Sequence, residues 1–298
     1  MKKSVLSVLL MVFLLIACNQ RKSTADFVSG THEYEWEDSA TYKGEWLNGQ
    51  PHGEGTMVFE NGDKYTGEWK YGEKSGKGVY IFAKMKNKYD GEFKHNVPDG
   101  EGVFTFSNGD KYTGEFSANK PNGRGQFIHA DGSYEKGVFK DGKLNGNSDC
   151  SSMDKSGNIY TGDFVRGMKS GEGKMDYLNG DSYTGDWYNN KAHGYGKYYY
   201  ANGCRYEGHF ANGVASGYGV YTWDDGECYR GEFQNDQMHG QGAIYDAEGN
   251  VIESGIYSNG VLVGQLDERR ETKDEGSERS ERSERSEDDN YYSEDEIM

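Results

Sequence analysis

Aromatic residues and glycines alternate with polar residues in short stretches that recur along most of the chain. In one such stretch, Tyr183, Gly185 and Trp187 stand at every second position. Because side chains alternate between the two faces of a strand, this spacing predicts a strand with one aromatic and one polar face. A short loop over residues 188–193 and a second strand over 197–200 are predicted next. Each stretch is therefore predicted to form a short β-hairpin.

The hairpin pattern repeats every 23 to 25 residues. A fixed period of this size is typical of repeat proteins, in which each unit packs mainly against its neighbours. Nine full copies and a truncated tenth predict an all-β fold: an elongated, single-layer antiparallel β meander of about ten 23-residue hairpin repeats over residues 30–265. The copies leave no room for a separate catalytic domain. Each copy is marked by the glycine of its opening motif: Gly44, Gly67, Gly91, Gly114, Gly137, Gly162, Gly185, Gly208, Gly231 and Gly255.

An Asn-Gly or Asp-Gly pair ends most of the copies. Two consecutive residues that tolerate positive φ are what a two-residue type I′ hairpin turn requires. We therefore expect type I′ turns at the pairs that begin with Asn61, Asn108, Asp131, Asn179, Asn202 and Asp225.

Two copies depart from the pattern. Glu135 and Glu253 occupy the position that tyrosine holds in the other copies. The fifth copy is also two residues longer than most, and it has Asn147 and Ser148 after Gly146 where other copies have Gly-x-Gly. We expect a bulge or break over residues 146–158, and the weakest junction between repeats there.

The recurring motif Y-x-G-(E/D)-(W/F), followed by G-x-G, resembles the MORN (membrane occupation and recognition nexus) repeat. The resemblance covers about residues 30–265. It implies an elongated β rod that serves as a scaffold or a binding surface. The family name also implies an alternative, in which the repeats bind a membrane or phospholipid headgroups.

The amino terminus has the pattern of an export signal. Two lysines precede an apolar run over residues 5–16, which is too short for a convincing membrane span. Leu15 to Cys18 resembles the bacterial lipobox, which implies that residues 1–17 are a lipoprotein signal peptide and that Cys18 is lipidated. An ordinary signal peptide that contains a cysteine is the alternative. Residues 18–29 are interpreted as a flexible tether, and the predicted location is the bacterial cell envelope, with the choice of inner or outer membrane left open.

Residues 266–298 differ in kind from the repeats. They contain the run ERSERSERSE and almost no apolar residue before Tyr291. Such a segment cannot bury enough apolar surface to fold alone. We interpret it as an acidic, low-complexity, disordered tail, with folding on a partner as the alternative.

Charge and hydropathy narrow the possible partners. The net charge is −17, and the mean hydropathy of −0.97 fits a thin, wet sheet better than a compact domain. The negative charge argues against nucleic acid and against tight binding to anionic lipid.

One row of acidic residues is the candidate binding stripe. Each member precedes the Trp or Phe of a predicted strand, so period two places it opposite the aromatic face. A repeated environment cannot supply the two unlike carboxylates of a glycosidase. Hydrogen bonding to neighbouring strands is one interpretation, and docking of a basic or cationic partner is the other. The row consists of Glu45, Glu68, Glu92, Glu115, Asp163, Asp186 and Glu232.

No other residues indicate chemistry. His52, His193 and His239 recur before a glycine, but Ser, Asp or Asn fills the same position elsewhere, which favours a role in turns over metal binding. Kinase and phosphate-loop motifs are absent from the sequence. We therefore expect a non-enzymatic, lipid-anchored repeat scaffold without catalytic, cofactor or metal residues. Its expected partner is a protein or another component of the cell envelope, and its oligomeric state stays open.

Overall fold

The computed structural model describes residues 29–265 and shows one open antiparallel sheet of 22 strands. The predicted all-β, single-layer meander is confirmed. The predicted signal peptide, Cys18, the tether before Ser29 and the acidic tail lie outside the described residues.

The strands follow one another in chain order, and each pairs with its neighbours in sequence, except that β11 and β12 both pair with β10 and not with each other. In most copies a seven-residue strand is followed by a nine-residue strand. The strands are β1 (Ser29–Glu35), β2 (Thr41–Leu47), β3 (Gln50–Val58), β4 (Lys64–Lys70), β5 (Glu73–Phe82), β6 (Asn87–Lys94), β7 (Val97–Thr105), β8 (Lys111–Ser117), β9 (Lys120–Ile128), β10 (Tyr134–Lys140), β11 (Lys143–Leu144), β12 (Ser151–Met153), β13 (Ile159–Val165), β14 (Met168–Asp176), β15 (Ser182–Tyr188), β16 (Lys191–Tyr199), β17 (Arg205–Ala211), β18 (Val214–Thr222), β19 (Cys228–Gln234), β20 (Gln237–Tyr245), β21 (Val251–Ser258) and β22 (Val261–Gly264).

The prediction of type I′ turns at the Asn-Gly and Asp-Gly pairs that end the copies is wrong. Phe59 and Asp63 close a three-residue loop in which Gly62 has a φ of 82° and Asn61 does not have positive φ. The N–H of Gly62 donates to the Phe59 carbonyl at 2.8 Å, so the loop is a type I turn followed by a left-handed glycine. The type I′ turns lie within the copies instead, as at Asn48-Gly49, with φ values of 51° and 70°.

The loop predicted over residues 188–193 is also shorter in the structure. Only Asn189 and Asn190 separate β15 from β16, with φ values of 48° and 68°. Because two residues suffice to reverse the chain, β16 begins at Lys191, six residues before the predicted second strand.

The core lies on one face of the sheet and consists of rings packed on glycine backbone. Tyr183 contacts Trp187 of its own copy and Phe210 of the next copy, edge to face, at centroid distances of 5.2 and 5.0 Å. Its hydroxyl donates to the Asp186 carbonyl at 2.9 Å. A Cβ at Gly196 would lie 2.5 Å from the Tyr183 Oη, so only glycine permits this approach.

We call this series of edge-to-face contacts the aromatic ladder; it is continuous within each of two blocks. Successive rings stand 4.9 to 5.4 Å apart, and such pairs add about 0.5–1.5 kcal/mol each beyond burial. The first block contains Tyr42, Trp46, Tyr65, Trp69, Tyr89, Phe93, Tyr112, Phe116 and Phe139. The second block contains Tyr160, Phe164, Tyr183, Trp187, Tyr206, Phe210, Tyr229, Phe233 and Tyr257.

The ladder is interrupted in the fifth copy. Within residues 29–265, no ring contact joins Phe139 to Phe164, because Glu135 replaces the tyrosine between them. The strand that is continuous in other copies is split here into β11 and β12. The predicted irregularity is thus confirmed, but the sheet itself continues, since β12 pairs with both β10 and β13.

Candidate functional site

Each residue of the predicted acidic row lies at an irregularity of the sheet. Pairing of β2 with β3, for example, shifts register between Gly44 and Trp46, on either side of Glu45. The same register shift occurs around five of the other carboxylates, and at Glu232 it lies directly before the residue. Between the paired positions around Glu45, β2 has one residue and β3 has three, so the extra residues of the bulge lie on the partner strand, opposite the carboxylate.

Most of these carboxylates accept a backbone hydrogen bond from the neighbouring strand. Glu68 Oε1 accepts from the Lys77 N–H at 2.7 Å, and Asp186 Oδ2 accepts from the Tyr195 N–H at 2.9 Å. Glu45, Glu115 and Glu232 make the equivalent contact at 3.0, 2.7 and 3.5 Å. The hydrogen-bonding interpretation is therefore confirmed for these five residues, and the docking interpretation stays a prediction.

The carboxylates also explain the first glycine of the Gly-x-Gly motif. A Cβ at Gly194 would lie 2.5 Å from Asp186 Oδ2, and φ at Gly194 is 63°. Glu92 and Asp163 lie in the same way over Gly100 and Gly171. The first glycine thus accommodates a carboxylate, and the second accommodates a tyrosine ring.

The structure adds three acidic residues that we did not predict. Glu54, Glu101 and Glu172 stand directly opposite Glu68, Glu115 and Asp186 on adjacent strands, and all three are exposed. Each is the middle residue of a Gly-x-Gly motif, so the register of the hairpins is the signal that could have identified them.

Together these residues form three acidic triads on the polar face of the sheet. Like charges directly opposite each other on adjacent strands destabilise a sheet. Within the described part of the chain, no member of a triad forms an ion pair, although Lys77 stands opposite Glu92 in register. The triads are Glu45/Glu54/Glu68, Glu92/Glu101/Glu115 and Asp163/Glu172/Asp186. Glu232 stands apart from them, opposite Tyr218.

The acidic row also affects the ionisation of the buried tyrosines. Burial raises the pKa of the Tyr229 hydroxyl to about 12, and the nearby Glu232 carboxylate adds to the effect. Burial and the adjacent carboxylate likewise raise the pKa of Tyr42 and Tyr160 far above the usual range. These hydroxyls therefore remain protonated and donate to backbone carbonyls.

The recurring histidine position has a role in turns where the structure shows its partner. His52 Nδ1 accepts from the Tyr71 N–H of the next copy at 3.4 Å, and Asp99 makes the same contact with Ala118 at 3.1 Å. Among residues 29–265, no group of three or more His, Cys, Asp or Glu side chains is arranged to hold a metal ion. The same residues include no helix with the length and apolar character of a bilayer span.

Comparison with known proteins identifies the repeats. The MORN repeat profile matches eight consecutive segments that together exceed half of the chain, and it omits the irregular fifth copy. The matched residues are 42–64, 65–84, 89–111, 112–134, 160–182, 183–205, 206–228 and 229–251.

No curated protein sequence matches the chain. Among solved structures, the wild-type TCP10 domain of Danio rerio CPAP is 14% identical and covers 76% of this chain and 100% of its own, with a TM-score of 0.36. The SAS-4 (dCPAP) TCP domain of Drosophila melanogaster, solved with a proline-rich motif of Ana2 (dSTIL), is 15% identical. It covers 65% of this chain and 100% of its own, with a TM-score of 0.25.

Proposed function

Because the chain belongs to the MORN repeat family, we propose that it is a non-enzymatic scaffold that docks a basic protein along the polar face of its sheet. We further propose that Cys18 carries a lipid that anchors the rod in the bacterial cell envelope. Repeats of this family suggest a scaffold or binding module, and the identity of this partner is our inference from the charge pattern.

The observation that supports a basic partner is the set of acidic triads. Glu54 opposite Glu68 and Glu101 opposite Glu115 place like charges on adjacent strands, where they weaken the sheet. Hydrogen bonds to backbone account for one carboxylate of each pair, but Glu54 and Glu101 accept none within the described residues. A partner that presents lysine or arginine to each triad would relieve this repulsion and would gain association rate and specificity.

Neutralising the unbonded carboxylates tests the docking surface. In the triad variant, Glu54→Gln, Glu101→Gln and Glu172→Gln remove three exposed charges without removing an acceptor of a backbone hydrogen bond. The matched control is Glu60→Gln, Asp224→Asn and Glu248→Gln, which removes three exposed charges from turns. Immobilised variants are incubated with an envelope extract at two salt concentrations, and the retained proteins are quantified.

We expect basic proteins to be retained by the wild type and by the turn control, and to elute as the salt concentration rises. The triad variant should bind the same proteins about tenfold more weakly. Equal retention by all three proteins would contradict the proposal. Flotation of the unlipidated repeats with neutral or anionic vesicles would favour the alternative function, binding of lipid headgroups, over the scaffold.

The anchor is tested separately. Cys18→Ala removes the residue that would carry the lipid, so we expect the protein to leave the membrane fraction or to remain there only with an uncleaved signal. Normal processing together with unchanged, carbonate-resistant membrane association would rule out lipidation at Cys18.

A further inference from the structure

The interruption in the aromatic ladder leaves a cleft on the aromatic face. In register, Glu135 of β10 faces Phe127 of β9 on one side and Ser152 of β12 on the other. Ser152 in turn faces Tyr160 of β13. Glu135 and Ser152 therefore occupy positions at which the regular copies have large apolar side chains. The result is an open cleft of about 330 Å³ between two hairpin turns.

A second series of rings, near the three-residue turns, stops at the same cleft. On one side it ends with His129 packed on Phe127 at 4.7 Å, and on the other side it resumes with Tyr177 packed on Tyr198 at 5.9 Å. Asp154 lies between them in the chain, and it lines the cleft. Both series therefore lack a ring at one place, where polar side chains face an open volume.

The inner part of the gap is filled by Cys150. A Cβ at Gly137 would lie 2.5 Å from the Cys150 Sγ, as the Tyr183 Oη lies close to the glycines of a regular copy. A Cβ at Gly146 would lie 2.9 Å from the same Sγ, so the thiol lies over two glycines, as the tyrosine hydroxyl does in a regular copy. Cys150 thus replaces the hydroxyl end of the missing tyrosine, and the space of the ring itself remains open.

Glu135 is left without a partner. Within the described residues its half-buried carboxylate makes no hydrogen bond and no ion pair, and burial raises its pKa despite the nearby His129. His129 Nδ1 lies 3.8 Å from Asp110 on its other side. Lys169, at the far end of the cleft, has its Nζ 5.0 Å from the Tyr160 ring and 5.3 Å from the Trp187 ring.

Glu253 shows that the unpaired carboxylate is specific to this cleft. It replaces the same tyrosine in the tenth copy and is also half-buried. There, however, the Tyr257 hydroxyl donates to Glu253 Oε1 at 2.9 Å. The two glutamates therefore share a sequence position and differ in whether the protein supplies a donor.

We propose that this cleft binds a planar cation, a guanidinium or amidinium group that pairs with Glu135 and stacks in the vacant ring position. A planar cation supplies the two things that the site lacks: parallel N–H donors for a carboxylate, and a flat face for the neighbouring rings. The natural source would be an arginine side chain of a bound protein or a small arylamidine-like compound.

Benzamidine and benzamide are the probes, because they have the same shape and only benzamidine is charged. The full chain is labelled with ¹³C at its methionine methyl groups, and each probe is titrated by NMR. Met153 lines the cleft, whereas Met57 is buried in a distant repeat and serves as the internal reference. We expect benzamidine to shift the Met153 signal and to bind about tenfold more tightly than benzamide.

Variants identify the residue responsible. Glu135→Gln should bind benzamidine about tenfold more weakly than the wild type, while Glu253→Gln, the matched control, should bind it unchanged. Ser152→Phe should block the cleft without altering Glu135, which covers the case in which Glu135→Gln does not fold. The tripeptide acetyl-Gly-Arg-Gly-amide distinguishes the sources: competition with benzamidine points to an arginine side chain, and its absence points to a small aromatic cation.

The proposal is overturned if benzamidine leaves the Met153 signal unchanged at millimolar concentration. Equal binding of benzamide, or equal binding of benzamidine by Glu135→Gln, would overturn it as well. None of these results depends on the acidic triads, which lie on the opposite face of the sheet.

Discussion

At the scale of single residues, a few side chains decide whether a position supports the rod or weakens it. Tyr183 is buried over two glycines and donates a hydrogen bond, whereas Glu135 occupies the same slot without a donor. Burying a charged group without a partner costs free energy, and the cost depends on its ionisation. The stability of the rod should therefore depend on pH at this residue.

Glu135→Gln tests this dependence. Because the folded pKa of Glu135 is raised above its unfolded value, the destabilisation is absent below the unfolded pKa of about 4.3 and grows as pH rises through the folded pKa. We expect Glu135→Gln to raise stability at pH 7 by on the order of 1 kcal/mol and to have no effect near pH 3. Thermal melts across this range measure the difference, and Glu253→Gln should not show the gain, because Tyr257 already pairs with Glu253. A gain that is the same at both pH values would assign the effect to packing.

The first glycine of the Gly-x-Gly motif supports a second residue-scale prediction. At Gly194 an added Cβ would require a left-handed backbone and would also clash with the Asp186 carboxylate. At Gly203, where φ is 95°, the nearest atom to an added Cβ is 3.5 Å away, so only the backbone conformation is unfavourable. The backbone penalty is about 1–2 kcal/mol in either case. We expect Gly194→Ala to destabilise the rod by about 1 kcal/mol more than Gly203→Ala, since it also displaces a hydrogen-bonded carboxylate.

A double-mutant cycle isolates the carboxylate contribution. In the Asp186→Ala background, Gly194→Ala should cost about as much as Gly203→Ala, because the carboxylate is gone. Denaturant melts provide the four free energies of unfolding. An excess cost that persists in this background would mean that Asp186 is not its cause.

At the scale of elements, the sequence predicts strands better than it predicts turns. Alternation of Tyr183, Gly185 and Trp187 identifies the buried face without any tertiary information. The turn type depends on how many residues separate the strands, and Asn-Gly occurs both in the two-residue turn at Asn48 and in the three-residue turn at Asn61. The dipeptide alone therefore cannot distinguish them.

Two features of the candidate sites could not be predicted without knowing how the strands pair and pack. The acidic row was predicted from period two, but its extension to Glu54, Glu101 and Glu172 depends on which strands stand opposite each other. The replacement of a tyrosine hydroxyl by Cys150 lies in an insertion that has no periodic counterpart. Sequence alone located the irregular copy, and packing showed what fills it.

The interrupted element is also where the rod should be cut. Asn147, Ser148 and Asp149 are exposed between β11 and β12, and neither aromatic ladder nor turn rings cross this junction. With proteinase K we expect loss of the segment after about Gln265 first, followed by cleavage between Asn147 and Asn158 into two fragments that stay folded. Residues 183–205, in a regular copy, should resist. Mass spectrometry identifies the cuts, and early cleavage within 183–205 would show that Cys150 fully compensates for the missing ring.

At the scale of the whole molecule, one face of the sheet forms the hydrophobic core and the other face is open to a partner. The aromatic face holds neighbouring repeats together through rings and glycines, and every full copy except the fifth carries the complete set. The polar face contributes little to the core, so its charges are free to vary from copy to copy. A binding surface can therefore extend along the rod, while stability is maintained on the opposite side.

Because each strand contacts mainly its neighbours in sequence, the repeats should form an extended rod in solution. Because β11 and β12 share one strand position, the sheet is 21 strands wide; at about 4.8 Å each this gives a length of roughly 100 Å and a radius of gyration of about 30 Å for a straight rod. A compact domain of the same described residues would have a radius of gyration of about 18 Å. Small-angle X-ray scattering on residues 29–265 distinguishes the two. A value near 30 Å is expected at low concentration, and the cross-section should remain that of one layer. A value near 18 Å would mean that the sheet folds back on itself and hides one of its faces, and the polar face could then not serve as a continuous docking surface.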